Sequence, residues 1–248
     1  MFTTFRNAVF LSIFLQAAAA AAQGGPPLIT DDTETVPKGR WELNLAWFSE
    51  FDSKQWRHEF PTFDLNYGIS DRQHINVSVP WVFVSTNGER LDGIGSAEVG
   101  TKWRFLENKA ARPALSIHPA IEFAFSSRSN RLGLTDPGTS AVLPMELQWE
   151  FHNLGVNADV GIGLSPGSLP SWLMGVAVGT NALGCELLAE IHGDGLEDGS
   201  ESVWIAQIGL RREFSESASL LFAAGKSFAS HGADPVRWTS YFAMQFRF

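Results

Sequence analysis

Apolar and polar residues alternate along most of the chain after residue 40. The clearest run has one apolar and one polar face, formed by Ile75, Val77, Val79, Trp81 and Phe83 against His74, Asn76 and Ser78. Because successive side chains of a β-strand point to opposite faces, this pattern predicts strands with one apolar side. Comparable runs recur about twelve times before the end of the chain, and helical spacing is nowhere as clear. The chain is therefore predicted to be all-β.

The connections between these runs alternate in length. Short turns are predicted at Gly68–Arg72 and Asn181–Gly184, and longer polar loops at Thr86–Gly93, Ser126–Gly138 and Gly193–Glu201. An even number of strands with this asymmetry is typical of outer-membrane barrels, which have short periplasmic turns and longer outer loops. We therefore predict a transmembrane antiparallel up-and-down β-barrel of about twelve strands over residues 40–248, with both termini in the periplasm.

A soluble β-sandwich is the alternative fold, because the same alternation would also serve two stacked sheets. Three features favour the barrel. Aromatic residues of the apolar face gather near the ends of the runs, as at the two interfaces of a membrane. The single cysteine, Cys185, cannot form an internal disulfide to stabilise an exported domain. The last predicted strand ends in Phe248, which resembles the assembly signal of outer-membrane barrel proteins.

The first residues have the features of an export signal. Ala8–Gln16 is a short apolar core behind the single charge of Arg6, and Ala20 and Ala22 form an A-x-A cleavage pattern. We expect a cleaved signal peptide over residues 1–22 and a periplasmic N-terminal segment over residues 23–39. The expected location is the outer membrane of a Gram-negative bacterium, with outer-membrane lipids and the barrel-assembly machinery as partners.

Composition and charge exclude several classes of function. The formal net charge is −9, so no basic surface for nucleic acid is indicated. The six histidines show no close pairing and there is one cysteine, so the sequence predicts no metal site. No glycine-rich loop opens a helix, and no cofactor is expected.

The polar faces of the runs carry many charged residues. Because a lone buried charge is costly, this set predicts a hydrated lumen or an interior network of ion pairs. We therefore expect a channel for small solutes with an acidic lumen, and the alternative is a filled barrel with a structural or recognition role. The predicted lumen-lining residues are Glu42, Asp64, Glu98, Lys102, Arg104, Glu122, Glu146, Glu150, Asp159, Glu186, Glu190, Arg211, Arg237 and Arg247.

A lipid hydrolase of the outer membrane is a further, weaker alternative. Ser116 and His118 lie two residues apart on one strand face, but Glu122 is about 13 Å further along, too far to orient the histidine. Both face the predicted interior, whereas lipid substrates arrive from outside. We therefore expect no catalytic residues and no enzymatic activity.

The segment before the first predicted strand carries a family motif. Its residues Pro27, Leu28, Thr30, Asp31, Asp32 and Thr35, followed by Gly39 and then Trp41, Glu42 and Leu43, resemble the opening of the outer-membrane family grouped as the meta-pathway of phenol degradation. The resemblance covers about twenty residues. It implies a transporter-like β-barrel and the passage of small solutes, with aromatic molecules among them.

The acidic residues of this motif allow three interpretations. A solvated turn is the preferred one for Asp31, Asp32 and Glu34. A segment folded back against the barrel interior and a weak cation site of oxygen ligands are the alternatives.

Overall fold

A computed structural model of the protein describes residues 27–107, 112–135, 138–151 and 154–248. The expected signal peptide therefore lies outside the described residues. The described strands are β1 (Trp41–Phe51), β2 (Gln55–Ser70), β3 (Gln73–Thr86), β4 (Glu89–Ile94), β5 (Ala97–Leu106), β6 (Ala114–Ile117), β7 (Ala120–Phe123), β8 (Thr139–Phe151), β9 (Leu154–Leu164), β10 (Ser171–Ala182), β11 (Cys185–Leu196), β12 (Ser202–Ser215), β13 (Ala218–His231) and β14 (Trp238–Arg247).

These strands form one closed antiparallel barrel. Most strands pair with their neighbours in sequence, and β1 closes the circle on β14 with Leu45 opposite Met244. Two positions in the wall are each shared by two short strands, because β4 and β5 both pair with β3, and β6 and β7 both lie between β5 and β8. The barrel therefore has twelve strand positions, and the predicted all-β barrel is confirmed.

Proline and glycine explain where the two shared positions are interrupted. Pro119 follows His118 between β6 and β7, and a proline has no backbone N–H to donate to a neighbouring strand. Between β4 and β5, Gly95 approaches β3 so closely that a Cβ atom there would lie 2.7 Å from Pro80 Cγ. The chain therefore bends at both places while the barrel stays closed.

The two ends of the barrel differ in their connections. One end, called the short-turn end, carries the turns at Asp71–Arg72, Leu183–Gly184 and Glu216–Ser217. The opposite, long-loop end carries the connections of residues 124–138, 197–201 and 232–237, the first of which contains the short helix α1 (Ser127–Arg131). The first strand and the last residue meet at the short-turn end, where Trp41 N donates to Phe248 O over 2.8 Å.

The prediction of a longer polar loop at Thr86–Gly93 is wrong. Residues 86–93 form a tight hairpin at the long-loop end, in which Asn87 and Gly88 connect β3 directly to β4. Both turn residues have positive φ angles, 52° and 87°, which is the backbone of the Asn-Gly turn that favours a two-residue hairpin. The polar residues of β4 therefore extend the barrel wall.

The alternation of side chains has the orientation of a membrane barrel. On β3, His74, Asn76 and Ser78 are buried inside, whereas Ile75 and Val77 are exposed on the outer surface. An apolar exterior over a polar interior is the reverse of a soluble sandwich, whose apolar faces meet in a core. Among the described helices, none is long and apolar enough to span a membrane.

Candidate functional site

The lumen of the barrel contains the chain's own N-terminal segment, defined here as residues 27–36. Nine of its ten residues are buried, and Glu34 is the exposed one. The solvated turn expected for Asp31 and Asp32 is therefore wrong, because their side chains lie inside the barrel, 5% and 6% exposed. All six residues of the family motif, namely Pro27, Leu28, Thr30, Asp31, Asp32 and Thr35, belong to this buried segment.

The segment enters the barrel at the short-turn end. Val36 N donates to His74 Nδ1 over 3.2 Å, and Thr35 Oγ1 donates to the carbonyl of Asp71 over 3.1 Å. The chain passes so close to β2 that a Cβ atom on Gly68 would lie 2.0 Å from the carbonyl oxygen of Pro37. A glycine at this position of the wall therefore leaves room for the segment to enter.

A cluster of charges fixes the middle of the segment to one side of the wall. Lys102 on β5 is fully buried, and its ammonium donates to Asp31 Oδ2 over 2.5 Å and to the carbonyl of Asp32 over 2.7 Å. Glu146 on β8 lies 3.4 Å from the same ammonium. His118 Nδ1 lies 3.5 Å from Asp31 Oδ2. The ion pair offsets part of the cost of burying these charges, because charged groups attract more strongly away from water.

Neighbouring polar side chains extend the contacts of this cluster. Ser116 Oγ donates to Glu146 Oε2 over 2.5 Å, and Thr33 Oγ1 donates to Gln148 Oε1 over 2.6 Å. At the short-turn end, Arg104 pairs with the exposed Glu34 over 3.1 Å. The strands β5 and β8, with His118 directly after β6, therefore bind the segment through directional polar contacts.

A carboxylate on a different strand binds the backbone of the segment. Glu190 on β11 accepts hydrogen bonds from Ile29 N over 2.9 Å and from Thr30 N over 2.8 Å. Beside it, a Cβ atom on Gly175 would lie 2.1 Å from Thr30 Oγ1. Glu190 therefore satisfies two backbone groups that would otherwise be buried without partners, and Gly175 makes their approach possible.

The remaining part of the inner wall is apolar where the segment touches it. Leu28 belongs to a buried cluster with residues of β1, β10, β11, β13 and β14, namely Ala46, Phe48, Ala177, Leu188, Leu221, Ala223, Tyr241 and Ala243. Ile29 packs in a second cluster with Val203, Ile205 and Val236. Sequence reasoning missed these inward residues because it treated the inner face as polar. Small residues at alternate positions, such as Gly175 and Ala177 on β10, were the available signal.

The predicted lumen-lining residues fall into three groups. Those buried inside the barrel are Glu42, Asp64, Glu98, Lys102, Glu146, Asp159 and Glu190. Those half-buried are Arg104, Glu122, Glu186, Arg211 and Arg247. Glu150 and Arg237 are exposed at the ends of the barrel, and neither is in the cluster around Lys102. The structure therefore brings Lys102 and Glu146 together with Asp31, which the sequence placed in a different segment.

The serine and histidine considered for a hydrolase have other partners. Ser116 donates to Glu146, while His118 Nε2 lies 3.0 Å from Asn76 Oδ1. In the described part of the chain these two side chains share no hydrogen bond with each other.

Asp31, His118 and Glu146 also offer three potential metal ligands within 4.8 Å of one another. The ammonium of Lys102 already lies among them, so a positive charge of the chain itself occupies this position.

Comparisons with known proteins identify the fold. No family model and no curated protein matches the chain. An outer membrane channel from Pseudomonas putida F1 superposes with a TM-score of 0.72, covering 88% of this chain and 98% of that one at 12% identity. The KdgM porin, solved with disordered oligogalacturonate, gives 0.57 over 84% and 99% of the two chains at 8% identity. The NanC porin gives 0.56 over 82% and 98%, also at 8% identity. The chain therefore has the fold of the outer-membrane β-barrels.

Proposed function

We propose that this protein is an outer-membrane channel for small solutes, exported through a signal peptide over residues 1–22. The observation that carries the proposal is the composition of the interior. The lumen is filled by a separate segment that touches the wall through a limited set of contacts, whereas the wall side chains do not fill it by themselves. Residues 27–36 are not paired as a strand with the wall, so they can move without breaking the pairing of strands.

The inner wall also suggests which solutes would pass. One side presents Lys102 and Glu146, and the other presents the apolar residues around Leu28 together with Glu190. A lumen with both kinds of surface suits small molecules with an apolar body and a polar group, and aromatic compounds with a hydroxyl or carboxyl group are of this kind. The carboxylates along the wall give the lumen an acidic character, which we expect to favour cations among inorganic ions.

Deletion of residues 27–36 tests the channel directly. In planar bilayers the wild-type protein should show small conductance steps, and the deletion variant should show steps several-fold larger, because the segment occupies the lumen. Heat-modifiable mobility on gels would establish that both proteins are folded barrels. Absence of conductance from both proteins would contradict the proposal and favour the filled barrel with a structural or recognition role.

Location is tested separately, by fractionation of cells that express the full chain. We expect the protein in the outer-membrane fraction and soluble only with detergent, because its outer surface is apolar. Recovery from the periplasm without detergent would contradict this location.

A further inference from the structure

The charged cluster combines three residues of the wall with one residue of the N-terminal segment. Lys102, His118 and Glu146 belong to the wall, between β5 and β8, whereas Asp31 comes from the segment. Without Asp31, the ammonium of Lys102 would keep Glu146, whose nearest oxygen lies 3.4 Å away and also accepts a hydrogen bond from Ser116. The wall by itself therefore pairs the ammonium with one carboxylate, which also bonds Ser116, and leaves the position of Asp31 open to a second anion.

The position that Asp31 fills is shaped for a carboxylate. One of its oxygens lies 2.5 Å from Lys102 Nζ and 3.5 Å from His118 Nδ1. His118 is 2% exposed, and its Nδ1 atom has no hydrogen-bond partner among the described residues although it points at this oxygen. Because Nε2 faces the amide oxygen of Asn76, which can only accept, Nε2 carries a proton, and Nδ1 is a donor when the ring is the imidazolium. In that form, a carboxylate oxygen placed slightly closer would be bound by both Lys102 and His118.

Leu28 lies three residues before Asp31 and fills the apolar part of the same lumen. Its neighbours are small or aliphatic residues such as Ala177, Ala223 and Leu221, and a Cβ atom on Gly209 would lie 3.2 Å from Leu28 Cδ2. The segment therefore presents an apolar group and a carboxylate to two complementary surfaces of the wall. A small molecule with an apolar body and one carboxylate carries the same two groups.

We propose that Lys102 and His118 form a binding site for the carboxylate of a small solute with an apolar body, and that Asp31 occupies this site in the resting structure. The proposal rests on the proposed channel function, because the solute must enter the lumen. Exchange of one carboxylate for another keeps the buried charge constant, so Lys102 remains paired. A group tethered by a short chain competes at an effective concentration of about millimolar, and solutes at similar concentrations can displace it.

Binding of benzoate to the detergent-solubilised full barrel, measured by isothermal titration calorimetry, tests the site. Benzoate should bind, whereas benzamide, which has the same ring without the charge, should bind about tenfold more weakly or not at all. Acetate should also bind more weakly than benzoate, because it lacks the apolar body. Equal binding of benzoate and benzamide would overturn the role of Lys102, and equal binding of acetate would overturn the role of the apolar wall.

Two variants separate this site from a structural role of the same residues. Lys102→Met should weaken benzoate binding about tenfold or more, because the charged donor is lost. Asp31→Asn should instead tighten it, because the resident carboxylate no longer competes. If Lys102 and Asp31 served only to hold the segment, both variants would change binding in the same direction, and that result would overturn the proposal. Lys54→Met, on an exposed lysine outside the barrel wall, is the matched control and should leave binding unchanged.

Two further measurements distinguish a loss of binding from a loss of folding and from a lack of conductance. Heat-modifiable mobility identifies a variant that has not folded. If Lys102→Met does not fold, the comparison of benzoate with benzamide in Asp31→Asn decides the question: the site predicts tighter binding of benzoate only, whereas mere release of the segment would favour both ligands alike. Unchanged or weaker binding by a folded Asp31→Asn variant would overturn the proposal. Calorimetry does not depend on ion flow, so a barrel that binds benzoate but shows no conductance would contradict the channel and support the site.

Discussion

The two sides of the inner wall hold the N-terminal segment by different physical means. Strands β5 and β8, with His118 after β6, contact it through charges and hydrogen bonds, as between Lys102 and Asp31. Strands β1 and β10–β14 contact it mainly through small and aliphatic side chains that surround Leu28 and Ile29. Glu190 is the main polar exception on the second side.

This difference indicates how the segment can occupy one defined position in the lumen and still be displaced from it. Directional contacts set its position along the strands, because an ion pair weakens as its partners move apart. Apolar contacts are not directional and depend on the area removed from water. A solute that replaces both kinds of contact can therefore displace the segment, whereas one that replaces a single kind leaves the other in place.

The largest effect should come from filling the gap at which the segment crosses β10. Gly175→Val would place a side chain where a Cβ atom alone lies 2.1 Å from Thr30 Oγ1, so we expect the segment to leave the lumen. Single-channel conductance should rise several-fold, and residues 27–36 should become accessible to protease. Gly155→Val is the matched control, because a Cβ atom there meets nothing closer than 3.9 Å. Unchanged conductance in a folded Gly175→Val barrel would show that the segment does not restrict the lumen.

The apolar side can be weakened by itself. Leu28→Ala removes most of a buried aliphatic side chain, and such substitutions cost about 2–5 kcal/mol in well-packed sites. We expect this loss in the docking of the segment, visible as faster proteolysis within residues 27–36. Leu169→Ala, on an exposed leucine between β9 and β10, should have no effect. If Leu28→Ala is as resistant as the wild type, the polar side alone holds the segment.

Glu190, the polar contact on β11, should contribute less than Leu28 to the docking of the segment. Glu190→Ala leaves the N–H groups of Ile29 and Thr30 without their acceptor, and because water can enter the space left by the side chain, each lost hydrogen bond should cost about 0.5–1.5 kcal/mol. Hydrogen exchange of these two amides, followed by NMR, should accelerate. Glu186→Ala removes a half-buried acid from the same strand and should leave both amides protected. Equal protection in the two variants would contradict the role assigned to Glu190.

The smallest expected effect is on ion preference, and it should not disturb the segment. Asp64, Ser78, Glu98 and Glu122 follow one another across neighbouring strands, and this row contains acids without a basic residue. Glu98→Gln with Glu122→Gln should reduce the cation preference in reversal-potential measurements, an effect that high salt should also diminish. Glu216→Gln, in an exposed turn at the short-turn end, is the control. Anion preference of the wild type would contradict the acidic lumen.

The strands and their orientation could be predicted because the relevant signal is local. On β3, the alternation from His74 to Phe83 is enough to predict the strand, its period of two and its apolar face. The hairpin at Asn87 and Gly88 was missed although its turn signal is also local. The polar residues after the turn favour a loop when the sequence is considered alone. At the rim of a barrel, however, a strand can extend beyond the membrane and be polar on both faces.

The site could be predicted only in part. Alternation identified Lys102, Glu146 and Glu190 as inward residues, but nothing near them in the sequence indicates their partners. Asp31 lies 71 residues from Lys102, and Thr30 lies 160 residues from Glu190. The acidic run at Asp31 and Asp32 resembles a solvated turn when only its neighbours are considered, which is why the preferred interpretation was wrong.

What the sequence by itself determined is the class of architecture, because backbone sterics give every strand a period of two that its residues either match or break. Tertiary structure alone decided what fills the barrel. Closing the sheet through β1 and β14 brings strands from both ends of the chain around one space, and a buried charge in that space must find a partner. Asp31 is the partner of Lys102, and the segment that carries Asp31 makes its remaining contacts with the opposite wall.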